Sequence, residues 1–216
     1  MHIAFQPGFP AELVPINTVK FVGQASRQCC IFVHDYIQAA DGNSMSLILG
    51  IDPGSRKTGF GIINYASGRS NYVTSGVIRL PTAELAERLK VIYDSVTELV
   101  ELHCPQELAI EQVFMAKNAG SALKLGHARG AAIVACVTQG MEVSEYSARQ
   151  IKQSVVGTGA ADKTQVQHMV RAILKLPAEP QEDAADALAA ALCHAHTQQS
   201  MIRLVGAKSI RRGRLR

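Results

Sequence analysis

The sequence predicts one α/β domain, a five-stranded mixed sheet with helices on both faces. Two observations carry that prediction. Strand-like apolar runs and apolar residues at helical spacing alternate as three strands, helix, strand, helix, strand and then helices, the order of a mixed sheet covered on two sides. The chain also has 216 residues, 47% hydrophobic and 19% charged, which suits one large core and is too apolar for a disordered tail. No apolar run approaches the ~18–20 residues that cross a bilayer, so no membrane role is expected.

Residues 1–44 do not read as structure. Pro7, Pro10 and Pro15 break up the start, and the apolar cluster from Cys29 to Val33 is short. No basic start leads into an apolar stretch and a small-residue cleavage site, so a secretory signal is not expected. Met45 stands just before the first convincing strand. It is the expected true start, with 1–44 an upstream, disordered extension.

From Leu47 to Ile51 the chain is continuously β-prone, as in a strand buried on both faces. Asp52-Pro53-Gly54-Ser55 is a turn. Thr58 to Tyr65 and Ser70 to Leu80 read as an antiparallel pair around Gly68. Leu85, Leu89, Ile92, Val96, Leu99 and Val100 lie at helical spacing, which predicts a helix over Thr82–Leu102, capped by Thr82 and ended by Pro105. A crossing strand follows over Glu107–Val113. The second long helix, Asn118–Gln139, contains Gly120, Gly126 and Gly130, each costing about 1 kcal/mol of helix propensity relative to Ala. Close approach to another backbone would justify that cost. A strand over Val143–Tyr146, helices over Ala148–Val155 and Ala161–Leu174, and a last helix from Glu182 to about Thr197 complete a domain spanning 45–200, ahead of a basic tail at 201–216.

The formal net charge is +4, and the basic excess lies after Met45, since residues 1–44 set Lys20 and Arg27 against Glu12, Asp35 and Asp41. The tail holds Arg203, Lys208, Arg211, Arg212, Arg214 and Arg216 with no acid, which suits a polyanion or simply a solvated terminus. The five cysteines (Cys29, Cys30, Cys104, Cys136 and Cys193) are odd in number and include no C-x-x-C. They argue against a disulfide framework or zinc site and for a reducing, cytoplasmic setting. Cys193 and His194 are neighbours on a helix and point different ways, so core packing is expected of them rather than nucleophile chemistry. His127 and His168 are expected to be surface or packing residues.

Four acids stand where acids are unwelcome. Asp52 closes the most apolar strand, Glu111 lies in Leu108–Phe114, near the end of the strand after the first helix, and Asp183 and Asp186 share one face of an alanine-rich helix, about 4.5 Å apart along its axis. Each has a plainer reading. Asp52 could bond its own turn, Glu111 could pair with a lysine, and the two aspartates could complement the helix dipole. If the sheet prediction holds, however, Asp52 and Glu111 end on adjacent strands with the helical pair nearby. Four clustered carboxylates cannot all ionise without compensation, and all-oxygen ligands favour Mg²⁺, or Mn²⁺ as a substitute, over zinc. Two such ions would suit phosphodiester hydrolysis without a covalent intermediate.

Gly50-Ile51-Asp52-Pro53-Gly54-Ser55-Arg56, Ala109-Ile110-Glu111-Gln112-Val113-Phe114 and Asp183-Ala184-Ala185-Asp186-Ala187 strongly resemble the RuvC family of Holliday-junction resolvases, in order and spacing, over Met45–Arg216. The resemblance implies a ribonuclease-H-like fold, a homodimer, Mg²⁺ dependence and paired nicks across a four-way DNA junction. It also implies that Asp52, Glu111, Asp183 and Asp186 are the catalytic, metal-holding acids, the last being a histidine in some members. Residues 148–153 and 161–166 look like the family's DNA-contact segments, which sets Lys152 and Lys163 near the scissile phosphate, where a cation offsets developing charge. Phe114 is expected to stack on an unpaired base, with core packing the alternative. Lys117, Lys124 and Arg129 are expected to add phosphate contacts. The implied partner is the RuvA–RuvB branch-migration complex.

Two rival functions remain open on sequence. Asp52-x-Gly54-x4-Gly59 looks like the first phosphate loop of an actin-like ATPase, although 172 residues after Met45 leave no room for a second glycine loop and domain. A junction-binding protein that does not cut would use the basic charge equally well, but an acidic quartet would then only repel phosphate. The glycine-rich helix is a candidate for the dimer interface, with packing on its own sheet as the alternative.

Overall fold

The computed structural model describes residues 3–5, 45–112 and 119–210 of the chain, with only the helical course given for 203–210. Strands β1 (Ile3–Phe5), β2 (Met45–Asp52), β3 (Lys57–Ala66) and β4 (Arg69–Arg79) precede helix α1 (Leu85–His103). Strand β5 (Glu107–Glu111), helix α2 (Ala119–Thr138), strand β6 (Glu142–Tyr146) and helices α3 (Ala148–Val156), α4 (Lys163–Leu174) and α5 (Glu182–Ile210) follow. The sheet order is β1-β4-β3-β2-β5-β6. Strands β2, β3 and β4 form an antiparallel meander, and β5 and β6 add in parallel on the other side of β2. The five expected strands are all present. Ile3–Phe5, from the region expected to lack structure, adds a sixth by pairing antiparallel with β4 at the sheet edge. The other residues of 1–44 lie outside the described set.

Strand alternation sorts the side chains into two cores. Leu49, Ile51, Phe60, Ile62, Leu108 and Ile110 face α1 and α2. Ile48, Ile63, Ala109 and Tyr146 face α3, α4 and α5. Strand β2 is therefore buried on both sides, as its unbroken apolar run implies.

Element ends follow local chemistry. Ser147 with Gln150, and Asp162 with Gln165, close reciprocal capping boxes at the starts of α3 and α4, so α4 begins at Lys163 rather than Ala161. Helix α1 starts three residues after Thr82, with Glu84 at its cap position and no side-chain cap bond. It ends with Cys104 in the left-handed region (φ 50°) before Pro105. The last helix runs to Ile210, well past Thr197, and no proline follows Pro180 to stop it. Cys136 and Cys193 are free and buried, but Cys104 is disulfide-bonded, against the expectation of a chain without disulfides. An odd cysteine count argues against a complete framework; it does not forbid one bridge.

The α5 helix lies almost backbone-to-backbone on the sheet. A Cβ at Gly50 would sit 1.9 Å from the Ala187 carbonyl oxygen, and one at Gly59 would sit 1.9 Å from that of Asp183. Ala184, Ala187 and Ala191 on the helix are fully buried in the same contact. The glycines of α2 are different: Gly126 and Gly130 have nothing within 4 Å of a built Cβ. The buried Ala128, Ala132, Ala135 and Cys136 do the packing of α2 on its sheet, so close approach within this chain does not explain Gly126 or Gly130.

These two settings give opposite signs to one substitution. Gly50→Ala should overpack the α5 contact and cost about 1–3 kcal/mol, while Gly126→Ala should gain about 0.5–1 kcal/mol through helix propensity. Thermal or urea unfolding of the two variants beside the parent chain checks both directions.

Candidate active site

Asp52 ends β2 directly opposite Gly59 of β3. Ile51 pairs with Ile110, so Glu111 ends β5 level with Asp52 on the neighbouring strand. Alternation turns Asp52 and Glu111 toward α5, on the face opposite Ile51 and Ile110. Because Gly59 has no side chain, the first turn of α5 settles over this end of the sheet, and it carries Asp183 and Asp186.

The four acids feel one another. Burial, then the charges of Asp186, Glu111 and Asp183, push the Asp52 carboxyl up to about 8, with Lys163 opposing. Burial and Asp186 raise Glu111, against Lys152 and Lys163. Burial likewise raises Asp186, helped by Glu182 and Asp183 and opposed by Lys163. The acids singled out in the sequence thus share one pocket, and Lys152 and Lys163 stand beside it. Lys163, the first residue of α4, pairs with Glu182 and reaches Asp186 at 3.6 Å. The bond with Glu182 raises the Lys163 ammonium.

Sequence reasoning missed two members of this cluster. Lys57, at the start of β3, lies 3.9 Å from Asp183. Glu182 precedes the helical pair and anchors Lys163. Neither shows a spacing signal, since both pairings join residues distant in the chain. Arg129, expected to contact phosphate, is instead used internally. Its Nε donates to the Glu111 carbonyl oxygen at 3.0 Å, and its guanidinium lies 2.7 Å from Glu145. Lys124 is exposed on α2, while Phe114 and Lys117 lie outside the described residues.

Among the described residues, no three Asp, Glu, His or Cys side chains are grouped as a metal would require, and the ammonium groups of Lys57 and Lys163 stand among the acids. The donor set nevertheless fits a hard divalent cation. It is all oxygen and partly buried, and burial together with mutual repulsion has lifted the Asp52 carboxyl far above its ordinary range. The phosphate-loop resemblance fares worse, because Gly59 is a strand residue filled against by the Asp183 carbonyl and Gly54 is closed by the Lys57 carbonyl.

Cys193 and His194 do not form a reactive pair. His194 bonds through Nδ1 to the Tyr146 hydroxyl at 2.7 Å and through Nε2 to Glu107, which also accepts from Ser46 and Gln198. Burial works to raise Glu107, but these bonds outweigh it and hold the carboxyl at about 2. This network fastens α5 to β5 and β6 on the same face as the acids. His168 faces Glu179, and His127 lines the groove between α1 and α2.

The raised Asp52 carboxyl fixes a sign. Its pKa in the fold exceeds the ordinary 3.8, so the metal-free protein loses stability as pH climbs from about 4 through about 8. Asp52→Asn should therefore raise the melting temperature in EDTA at pH 8.5, by several degrees for a gain of order 1–3 kcal/mol, and the gain should shrink toward pH 5. Paired thermal melts at the two pH values test this.

Residues 48–194 match the family model described as crossover junction endodeoxyribonuclease RuvC. A protein of that description from Saccharophagus degradans is 66% identical over 172 residues, covering 79% of this chain and 99% of the relative. One from Teredinibacter turnerae is 65% identical over 175 residues, with the same coverage. Among solved structures, Thermus thermophilus RuvC in complex with Holliday junction substrate aligns with a TM-score of 0.67 at 34% identity, over 72% of this chain and 96% of that one. The yeast mitochondrial Holliday junction resolvase Ydc2, at 12% identity and a TM-score of 0.57, shares the fold. With its sheet order, its acidic pocket and these relatives, the chain belongs to the RuvC family.

Proposed function

We propose that this protein resolves Holliday junctions, cutting two opposed strands by metal-dependent phosphodiester hydrolysis. The observation that carries the reading is the convergence of Asp52, Glu111, Asp183 and Asp186 at one open end of the sheet beside basic side chains, in a chain of this family. The family's solved complex with a Holliday junction supports four-way DNA as the substrate. The four carboxylates would hold Mg²⁺, two ions per subunit, with Mn²⁺ as a substitute. Bound there, such ions supply an activated water and charge neutralisation at the leaving oxygen.

The chain's own residues have separable tasks in this reading. The carboxylates would hold the ions, and Gly59 lets α5 approach so that Asp183 and Asp186 lie over the strand ends that carry Asp52 and Glu111. Lys152 and Lys163 offset charge on the phosphate. Lys163, 3.6 Å from Asp186 and largely exposed, would stand beside both the carboxylates and the phosphate. Phe114 would stack on an unpaired base at the crossover. Family likeness supports RuvA–RuvB as the motor partner and the cytoplasm as the setting. No helix among the described residues is long and apolar enough to cross a membrane.

Paired cutting calls for two sites in fixed relation, and a C2 dimer supplies them. The supporting surface is the α1–α2 face. Leu123, Val134 and Val137 are exposed there at 53–62%, and Gly126 and Gly130 open a groove between the helices. A second copy is the occupant that this reading assigns to the face.

Asp52→Asn and Glu111→Gln should each lower junction cleavage at least about 10³-fold while leaving gel-shift affinity intact, and Lys152→Ala should lower cutting more than affinity. Binding loss with cutting retained would overturn the assignment. Val134→Glu should shift the protein to monomer by light scattering and leave single nicks without paired resolution. Unchanged paired cutting by a confirmed monomer would contradict the dimer reading.

A further inference from the structure

The β3–β4 flank of the acidic pocket carries an electrostatic conflict of its own. Lys57 and Arg79 are directly opposed in the antiparallel ladder, both exposed and both on the sheet face that bears Asp52 and the start of α5. Like charges at facing positions are destabilising. Arg56, exposed and next to Lys57 in the chain, adds a third basic residue, and its carbonyl oxygen accepts from the Leu80 amide at 3.1 Å, which holds its backbone beside the end of β4. Among the described residues Arg56 and Arg79 form no ion pair, and Lys57 reaches only Asp183, at 3.9 Å. Three exposed cations therefore stand at one strand end, with acids only beside Lys57: Asp183 and, at longer range, Glu182. A turn-end cluster of this kind lacks an anion.

The pocket's geometry says which anion. Lys152 stands on the β5–β6 side, following β6 on α3, and acts on Glu111. Lys57 and Arg79 stand on the opposite side, beyond β2, next to Asp183. A strand laid across the carboxylates meets cations before and after them.

We propose that Arg56, Lys57 and Arg79 form a second phosphate-binding rim that grips the DNA backbone on the side of the pocket away from Lys152. This rests on the resolvase reading and extends it to the β3–β4 side of the pocket, across from Lys152. Backbone contact is sequence-independent, so the rim acts on affinity and registration and leaves the chemical step alone.

The test is the salt dependence of binding to a synthetic four-way junction in EDTA, read by fluorescence anisotropy. The full chain is compared with an Arg56→Gln/Arg79→Gln double variant, an Arg56→Lys/Arg79→Lys double variant and a Lys90→Gln control on α1. Lys57 stays in place because it also neighbours Asp183. The Gln pair should reduce the slope of log K against log salt by roughly 1.5–2, about 0.9 per phosphate lost, and weaken binding several-fold at moderate salt. Its single-turnover cleavage at saturating junction should be unchanged, and its melting temperature equal or higher. The Lys pair and Lys90→Gln should keep the parent slope. A Gln pair with the parent's slope overturns the rim, as does a Lys pair that loses as much as the Gln pair. A parent chain with no junction affinity overturns the resolvase reading and the rim together.

Discussion

The structure depends on one close contact, that of α5 with β2 and β3. Gly50 and Gly59 on the sheet and Ala184, Ala187 and Ala191 on the helix leave the two backbones nothing to keep them apart. A helix held off by ordinary side chains lies roughly 10 Å from a sheet, the layer spacing of most folds. The closer approach sets the first turn of α5, with Asp183 and Asp186, down on the end of the sheet that carries Asp52 and Glu111. The small residues are thus a geometric requirement of the site as much as a feature of the core. The buried Glu107–His194–Tyr146 bonds fasten the same helix further along, where side chains rather than glycines set the spacing.

That contact creates an electrostatic liability. It drives Asp52 up to about 8 and raises Glu111 and Asp186 with it. The fold answers with ammonium groups rather than distance: Lys163 reaches Asp186, and Lys57 reaches Asp183. Both lysines are substantially exposed, so they are held by weak, solvent-screened attractions.

Much of this was legible from sequence, for identifiable reasons. A strand buried on both faces must be continuously apolar, so β2 announced itself, and an acid at its end had to have a partner. Periodicity reports faces, and it placed Asp183 and Asp186 together. It does not report neighbours. Lys57 and Asp183 are far apart in the chain, as are Arg129 and Glu145, and no local pattern foretells either pair. The glycines were misread in direction. Those of α2 were the ones expected to make a close approach, yet within this chain Gly50 and Gly59, both read as strand residues, make it. A glycine's freedom is visible in sequence; the atom that fills its empty Cβ position is not. Helix α5 passed its expected end because loss of apolar periodicity marks the end of burial, which need not be the end of a helix.

Arg129 shows why the two faces of the sheet cannot be treated as independent. It sits on α2, among the helices opposite the acids, yet its Nε bonds the backbone carbonyl of Glu111 and its guanidinium meets Glu145 on β6. The Gln112 amide bonds the Tyr146 carbonyl at 2.8 Å just beyond, so the end of β5 is held from its neighbouring strand and from the helix layer at once. Helix α2 also lines the exposed groove with α1. The strand end that carries Glu111 is thus tied to the helix that forms the groove by a charge-assisted bond of defined geometry, which apolar packing alone would not supply.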